Sequence, residues 1–154
     1  MLTINDFARR NPSTATADET VREAARRMEA CGVGCLVVVD ADRRPIGMVT
    51  DRDLVMRLLR RRRDPDTTSV AEVMHPEVTS VSEDAPVERA MRRMHQEGIR
   101  RVPIVDAAGR LTGIFAADDA LQLLASELAG VAEAVRAQFP PDLEAGHALP
   151  AKGG

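Results

Sequence analysis

Trp and Tyr are absent from this chain, and Phe occurs only 3 times in 154 residues. With 44% hydrophobic residues, a core is still possible, but it must be assembled from Val, Leu, Ile, Met and Ala. Cysteine is confined to Cys31 and Cys35, in the stretch CGVGC, and His75, His95 and His147 lie far apart. A structural zinc site takes about four ligands, so no metal site is expected. The two thiols read as small, buried or half-buried side chains, with a redox pair as the alternative. No apolar run approaches the roughly 18 residues of a membrane span. The opening MLTINDFARRNPS offers no apolar stretch for a signal peptide. The expected location is cytoplasmic, with no membrane partner. Positive charge is not in excess either: the formal net charge is -3, which makes a nucleic-acid partner an unfavoured reading. Catalysis needs a nucleophile–base pair or a metal set. No His stands beside a repeated Ser or Cys, so no enzyme activity is expected.

What the chain does have is a repeat, and repeats decide the fold before local patterns do. Shifted by 66 residues, the sequence lies over itself without a gap. DETVREAARRMEACGV from Asp18 falls on DAPVERAMRRMHQEGI from Asp84, and LVVVDADRRPIGMV from Leu36 falls on VPIVDAAGRLTGIF from Val102. Gly47 meets Gly113, and Asp53 meets Asp119. The length suits one ordinary domain or two very small ones; the repeat makes it one structural unit used twice.

Each unit reads as β-α-β-β-α. A short extended piece comes first, around Thr14 to Ala17 and again around Thr79 to Ser82. Thr20-x-x-Glu23 is a capping box that starts a helix, with Val21, Ala24, Ala25 and Met28 on one face. In copy two, Val87, Ala90, Met91 and Met94 repeat that spacing, and Pro86 suits the first helical turn. Gly32 and Gly98 end these helices. The apolar runs Leu36 to Val39 and Ile46 to Val49, split by the polar DADRRP, form a hairpin. A second helix begins near Asp51 with Leu54, Val55, Leu58 and Leu59 inward, and Ser69-x-x-Glu72 starts a short helix reaching Met74. One unit cannot cover both faces of its sheet; two packed face to face can.

The junction GMVTDRDL, Gly47 to Leu54, carries the chemistry. Thr50-x-x-Asp53 satisfies the capping-box pattern and needs no further explanation. Copy two, GIFAADDAL, puts Ala116 where Thr50 stands and keeps Asp119, so the cap is lost and the acid remains. The same geometry suits a ligand. Backbone N–H groups at a helix start attract an anion, a carboxylate can accept from a ribose diol, and a threonine hydroxyl or Arg52 can meet phosphate.

These marks, with GIRRVPIVD from Gly98 and VAEVMHPEVTSVSEDAPVERA opening copy two, resemble a tandem pair of CBS motifs, a Bateman module, over about Thr3 to Leu124. The build is similar to that of small stand-alone bacterial CBS-pair proteins. The resemblance implies an α/β (α+β) fold with the two motifs about a pseudo-twofold axis, a C-terminal helix added, and two clefts between the motifs. It implies an adenosyl ligand (AMP, ADP or ATP, with S-adenosylmethionine as a further option) that signals by shape and is not a required cofactor. It places Asp53 at the ribose, Thr50 and Arg52 at phosphate, and Thr14, Ala15, Thr16, Gly34, Cys35 and Leu36 around the adenine. Arg100 and Arg101 reach phosphate. In a second, weaker cleft it places Asp119, Ser80, Val81, Ser82, Arg101, Val102 and Pro103. Ala116 lacks the hydroxyl there, and Asp118 puts negative charge where copy one has Arg52.

The expected organisation is motif one at 3–62, a linker at 63–69, motif two at 70–126, a helical extension at 127–139 and a loose tail at 140–154. In the last helix Leu121, Leu124, Leu128, Val131 and Val135 are spaced 3, 4, 3, 4, an a/d seam over two heptads. That seam favours a second copy of the chain, hence a homodimer. An unidentified protein partner is also expected of a regulatory module. Two rival readings remain open: a ligand-free or redox-responsive stress protein using Cys31 and Cys35, and a nucleic-acid-associated module using the Arg57–Arg63 run.

Overall fold

A computed structural model of the chain describes residues 3–138; the tail expected at 140–154 lies outside them. The chain divides after Asp119 into a first unit carrying both repeats and a second unit from Ala120 onward.

Among the described residues the first unit holds eight strands and three complete α-helices, in the order β1 Arg9–Arg10, β2 Thr14–Ala15, α1 Val21–Cys31, β3 Cys35–Val39, β4 Pro45–Thr50, α2 Asp51–Leu54, β5 His75–Pro76, β6 Val81–Ser82, α3 Val87–Glu97, β7 Arg101–Val105 and β8 Leu111–Ala116. Helix α4, Ala117–Gln138, begins in this unit and runs through the described part of the second. Each repeat follows the expected β-α-β-β-α order, with one addition. A two-residue leader strand precedes each copy, and it pairs into the sheet of the other copy. The sheets are ordered β2-β3-β4-β5 and β1-β8-β7-β6. Strand β1 lies antiparallel to β8 (Arg9↔Ile114, Arg10↔Gly113), and β5 lies antiparallel to β4 (Gly47↔Pro76, Met48↔His75).

This exchange sets the sheet-on-sheet packing. Strand β3 is buried on both faces, as its unbroken apolar run demands. Leu36 and Val38 face the helices and join Val21, Ala24, Met28 and Val49 in one core. Val37 and Val39 face the other way and meet Leu111 and Ile114 of the opposite sheet. The helix starts form as read. Thr20 accepts from the Glu23 N–H while the Glu23 carboxylate accepts from the Thr20 N–H, and Ser69 and Glu72 repeat the device. Gly32 and Gly98 close α1 and α3 with φ of 62° and 63°, a left-handed geometry that favours glycine. Pro86 sits one residue earlier than expected, as the N-cap of α3.

Four residues expected to face inward do not. Ala25 and Met91 are exposed, because the buried stripes of α1 and α3 are narrower than the apolar spacing. After Leu54 the helix widens into a π turn over Val55–Leu59. The wider turn rotates Val55 and Leu59 outward, to 54% and 74% exposure, while Leu54 stays buried. In the second unit the spaced residues Leu121, Leu124, Leu128, Val131 and Val135 are all exposed, from 49% to 69%.

Candidate functional site

The strand exchange builds two related clefts in the first unit, each from parts of both copies. One cleft, about 340 Å3, has the leader of copy two (His75 to Thr79), the corner Ile99–Arg101, and Met48 and Thr50 from the end of β4. The other, about 350 Å3, has the leader of copy one (Arg9 to Ser13), the corner Gly32–Cys35, and Ala116, Asp118 and Asp119 from the end of β8 and start of α4. Arg101 lines both.

The expected site residues are therefore regrouped. Thr50 shares a cleft with Arg100 and Arg101 but not with Thr14, Ala15 and Thr16, which line a separate open hollow with Glu19, Arg27 and Cys31. Gly34 and Cys35 line the Asp119 cleft, although Cys35 is the cross-strand partner of Thr50. The physical reason is the leader strand, which carries each copy's opening segment over to the other copy's junction. Leu36 is fully buried in the helix-side core. Val81, Val102 and Pro103 are buried too, whereas Ser80 and Ser82 are exposed. Arg52 is exposed.

At the copy-one junction the capping box forms in full. Asp53 Oδ2 accepts from the Thr50 N–H (3.0 Å) and hydroxyl (2.8 Å), and Thr50 Oγ1 accepts from the Asp53 N–H (3.2 Å). The other N–H groups of this turn are also taken: Asp51 donates to the Gly34 carbonyl (3.0 Å) and Arg52 to Asp51 Oδ1 (2.8 Å). This corrects the expectation that free amides await an anion here. Asp53 is only 9% exposed and does not line the Thr50 cleft. His75 stands before it, with Nε2 at 2.7 Å from Asp53 Oδ1.

The copy-two junction has no hydroxyl cap. Asp119 is held instead by Arg9, whose Nε and Nη2 donate to Oδ1 at 3.1 and 2.6 Å. Asp119 Oδ2 is buried and has no hydrogen-bond partner among the described residues, an uncommon state for a carboxylate oxygen. Arg100 pairs with Asp118 at 2.6 Å, while Arg101 makes no ion pair among the described residues.

The Thr50 cleft is the more apolar of the two, walled by Met48, Val78 and Ile99. Its acid Glu97 is partly offset by Arg93 at 3.2 Å. Burial pushes the Cys35 thiol up to about 11, against a smaller opposing effect of Arg101. A thiol so raised is protonated and unreactive near neutral pH. Arg57 and Arg63 of the arginine run are engaged within the fold, by the Met74 carbonyl and Glu72. Among the described residues no three His, Cys, Asp or Glu side chains converge as a metal site, and no helix is long and apolar enough to cross a membrane. The sequence reading missed Arg9 and His75. The signal was present, since the 66-residue shift lays one on the other.

A family model described as CBS domain matches residues 4–60 and 70–126. A CBS domain-containing protein of Bacillus subtilis is 37% identical over 133 residues, covering 86% of this chain and 93% of that one. An uncharacterized protein of Methanopyrus kandleri is 38% identical over 122 residues, 79% of this chain; the chain spans only 62% of that relative's length. Hypoxic response protein 1 of Mycobacterium tuberculosis is 30% identical over 119 residues, covering 77% of this chain and 82% of that one. Among solved structures, a CBS domain pair in complex with 5'-methylthioadenosine and S-adenosylmethionine superposes with a TM-score of 0.72 at 25% identity, over 82% of this chain and 98% of that one. The cytosolic domain of a Mg2+ channel in complex with ATP gives 0.66 at 30% identity, over 76% and 46%.

Proposed function

The chain belongs to the CBS-domain family, and from that premise we propose that it is a regulatory CBS pair whose Thr50 cleft binds an adenosyl nucleotide without catalysis. The observation that carries this is the make-up of that cleft. Met48, Val78 and Ile99 offer an apolar wall for a base, Thr50 a hydroxyl, and Arg100 and Arg101 cations for phosphate. Its volume of about 340 Å3 lies at the small end of ligand pockets, suited to one nucleoside-sized group. The similar structures solved with S-adenosylmethionine and with ATP support the adenosyl class, with AMP, ADP and ATP as the first ligands to try.

In this reading Asp53 accepts from the ribose diol, Thr50 meets phosphate, and the residues facing the base are Val78 and Ile99, in place of Thr14 to Thr16. The Asp119 cleft is the weaker site in this reading, because Ala116 stands where the Thr50 hydroxyl would be. The raised Cys35 thiol speaks against the redox alternative. The exposed α4 stripe is covered by the same stripe of a second copy, giving a homodimer. An unidentified protein partner reads the change of shape.

Calorimetric titration of AMP, ATP and adenosine tests the reading. Thr50→Ala should weaken AMP and ATP more than adenosine. Asp53→Asn should weaken all three roughly 10- to 150-fold, as loss of a charged hydrogen bond of about 1.5–3 kcal/mol requires. Equal binding by wild type and Asp53→Asn would refute the ribose assignment.

A further inference from the structure

The two junction acids are each engaged by a nitrogen-bearing side chain, and the two side chains are repeat equivalents. Arg9 and His75 are 66 residues apart, the repeat length. Each sits on a two-residue leader strand at the edge of the other copy's sheet. Each contacts the acid of the junction beside it, Arg9 on Asp119 and His75 on Asp53. A glycine under each strand permits the approach. A Cβ on Gly47 would lie 2.8 Å from the His75 carbonyl oxygen, and one on Gly113 would lie 3.0 Å from that of Arg9.

We propose that His75 and Arg9 set the affinity of the two clefts by occupying the carboxylates that a ribose diol needs. The proposal rests on the nucleotide reading above. A carboxylate has about four acceptor positions. Two of those on Asp53, both on Oδ2, are filled by Thr50, and one on Oδ1 is filled by His75. A cis-diol donating two hydrogen bonds finds one position open, and His75 stands between it and the acid. His75 must therefore swing out for the diol to bind. Its side chain is 60% exposed, so solvent is at hand to receive it, and the same holds for Arg9 at 65%. The strand that carries it is short and at an edge, a place where local opening costs little. Filling one cleft thus loosens a strand that one copy lends to the other's sheet, and this converts occupancy into a change between the copies.

The test titrates adenosine and AMP into the full chain, wild type and His75→Ala. The proposal expects His75→Ala to bind adenosine about two- to fivefold more tightly, the range set by a partly exposed side-chain contact. In the Asp53→Asn background, His75→Ala should bring no gain, whereas a general loosening of the fold would act there as well. If wild type binds and His75→Ala binds equally or more weakly, the proposal is overturned and the nucleotide reading stands. If neither protein binds adenosine or AMP at millimolar concentration, the nucleotide reading fails and carries the proposal with it. A ligand-free arm judges the contact separately. Asp53→Asn should speed amide hydrogen exchange across residues 74–78 severalfold, and unchanged exchange there would overturn the view that His75 holds the strand.

Discussion

Replacing Gly47 by alanine should detach the β5 leader from β4 and unfasten His75 with it. The added Cβ would lie 2.6 Å from Met74 Sδ and 2.8 Å from the His75 carbonyl oxygen. The flexible Met74 side chain can yield, but the carbonyl belongs to the β4–β5 pairing, Gly47↔Pro76 and Met48↔His75. Relieving the contact means moving the strand by several tenths of an ångström. Overpacking of this kind costs about 1–3 kcal/mol, and alanine returns about 0.5–1 kcal/mol of the backbone entropy that glycine loses in a strand. The net loss is about 1–2 kcal/mol, a fall in Tm of about 2–8 °C for a chain of this size. Without Trp or Tyr, fluorescence cannot report the transition, so far-UV circular dichroism in a thermal or urea series is the assay. Gly113→Ala is the internal control. Its Cβ would lie 3.0 Å from the Arg9 carbonyl oxygen and 3.3 Å from Ala8 Cβ, so it should cost about half as much. A Gly47→Ala protein as stable as wild type, or losses of equal size at the two glycines, would refute the argument.

Other outcomes follow from the same geometry. Cys35 should resist alkylation at pH 8 while exposed Cys31 reacts, read by intact mass. Because the folded thiol titrates near 11 and an ordinary one at 9.0, the unfolded chain loses its proton first; stability should therefore fall as pH rises between those values. Glu23 and Glu72 are held below the ordinary 4.5 chiefly by the backbone N–H groups of Thr20 and Ser69. The folded chain then binds fewer protons than the unfolded one, so stability should fall as pH drops below about 4.5, and Glu72→Gln should flatten that fall. Arg101→Ala should weaken ATP binding in both clefts, since the one side chain lines both. On the proposed pairing, a chain ending at Ser126 should show a lower mass in light scattering than the full chain, because most of the exposed α4 stripe is removed.

The repeat makes the two units, their hairpins and the capped helix starts legible in the residues themselves, because caps, glycine C-caps and apolar alternation are local signals. The exchange of leader strands is not legible in this way. Arg9–Arg10 and His75–Pro76 are each two residues long and polar or proline-bearing, so no periodicity marks them as strands. Yet they decide which segments share a cleft. Reading each repeat as self-contained places Thr14 to Thr16 beside Thr50, whereas the lent strands bring Thr79 and Ile99 there. The π turn after Leu54 is hidden for a related reason: apolar spacing shows an α-helical stripe and cannot show where the helix widens.

The most direct test of the account is a crystal structure of the full chain grown with millimolar AMP. The account predicts the adenine against Met48, Val78 and Ile99, the ribose hydroxyls on Asp53 with His75 displaced, and Arg101 within reach of the phosphate. AMP bound with His75 still on Asp53 would contradict the gating role. AMP bound elsewhere, or both clefts empty at that concentration, would contradict the assignment of this cleft as the nucleotide site.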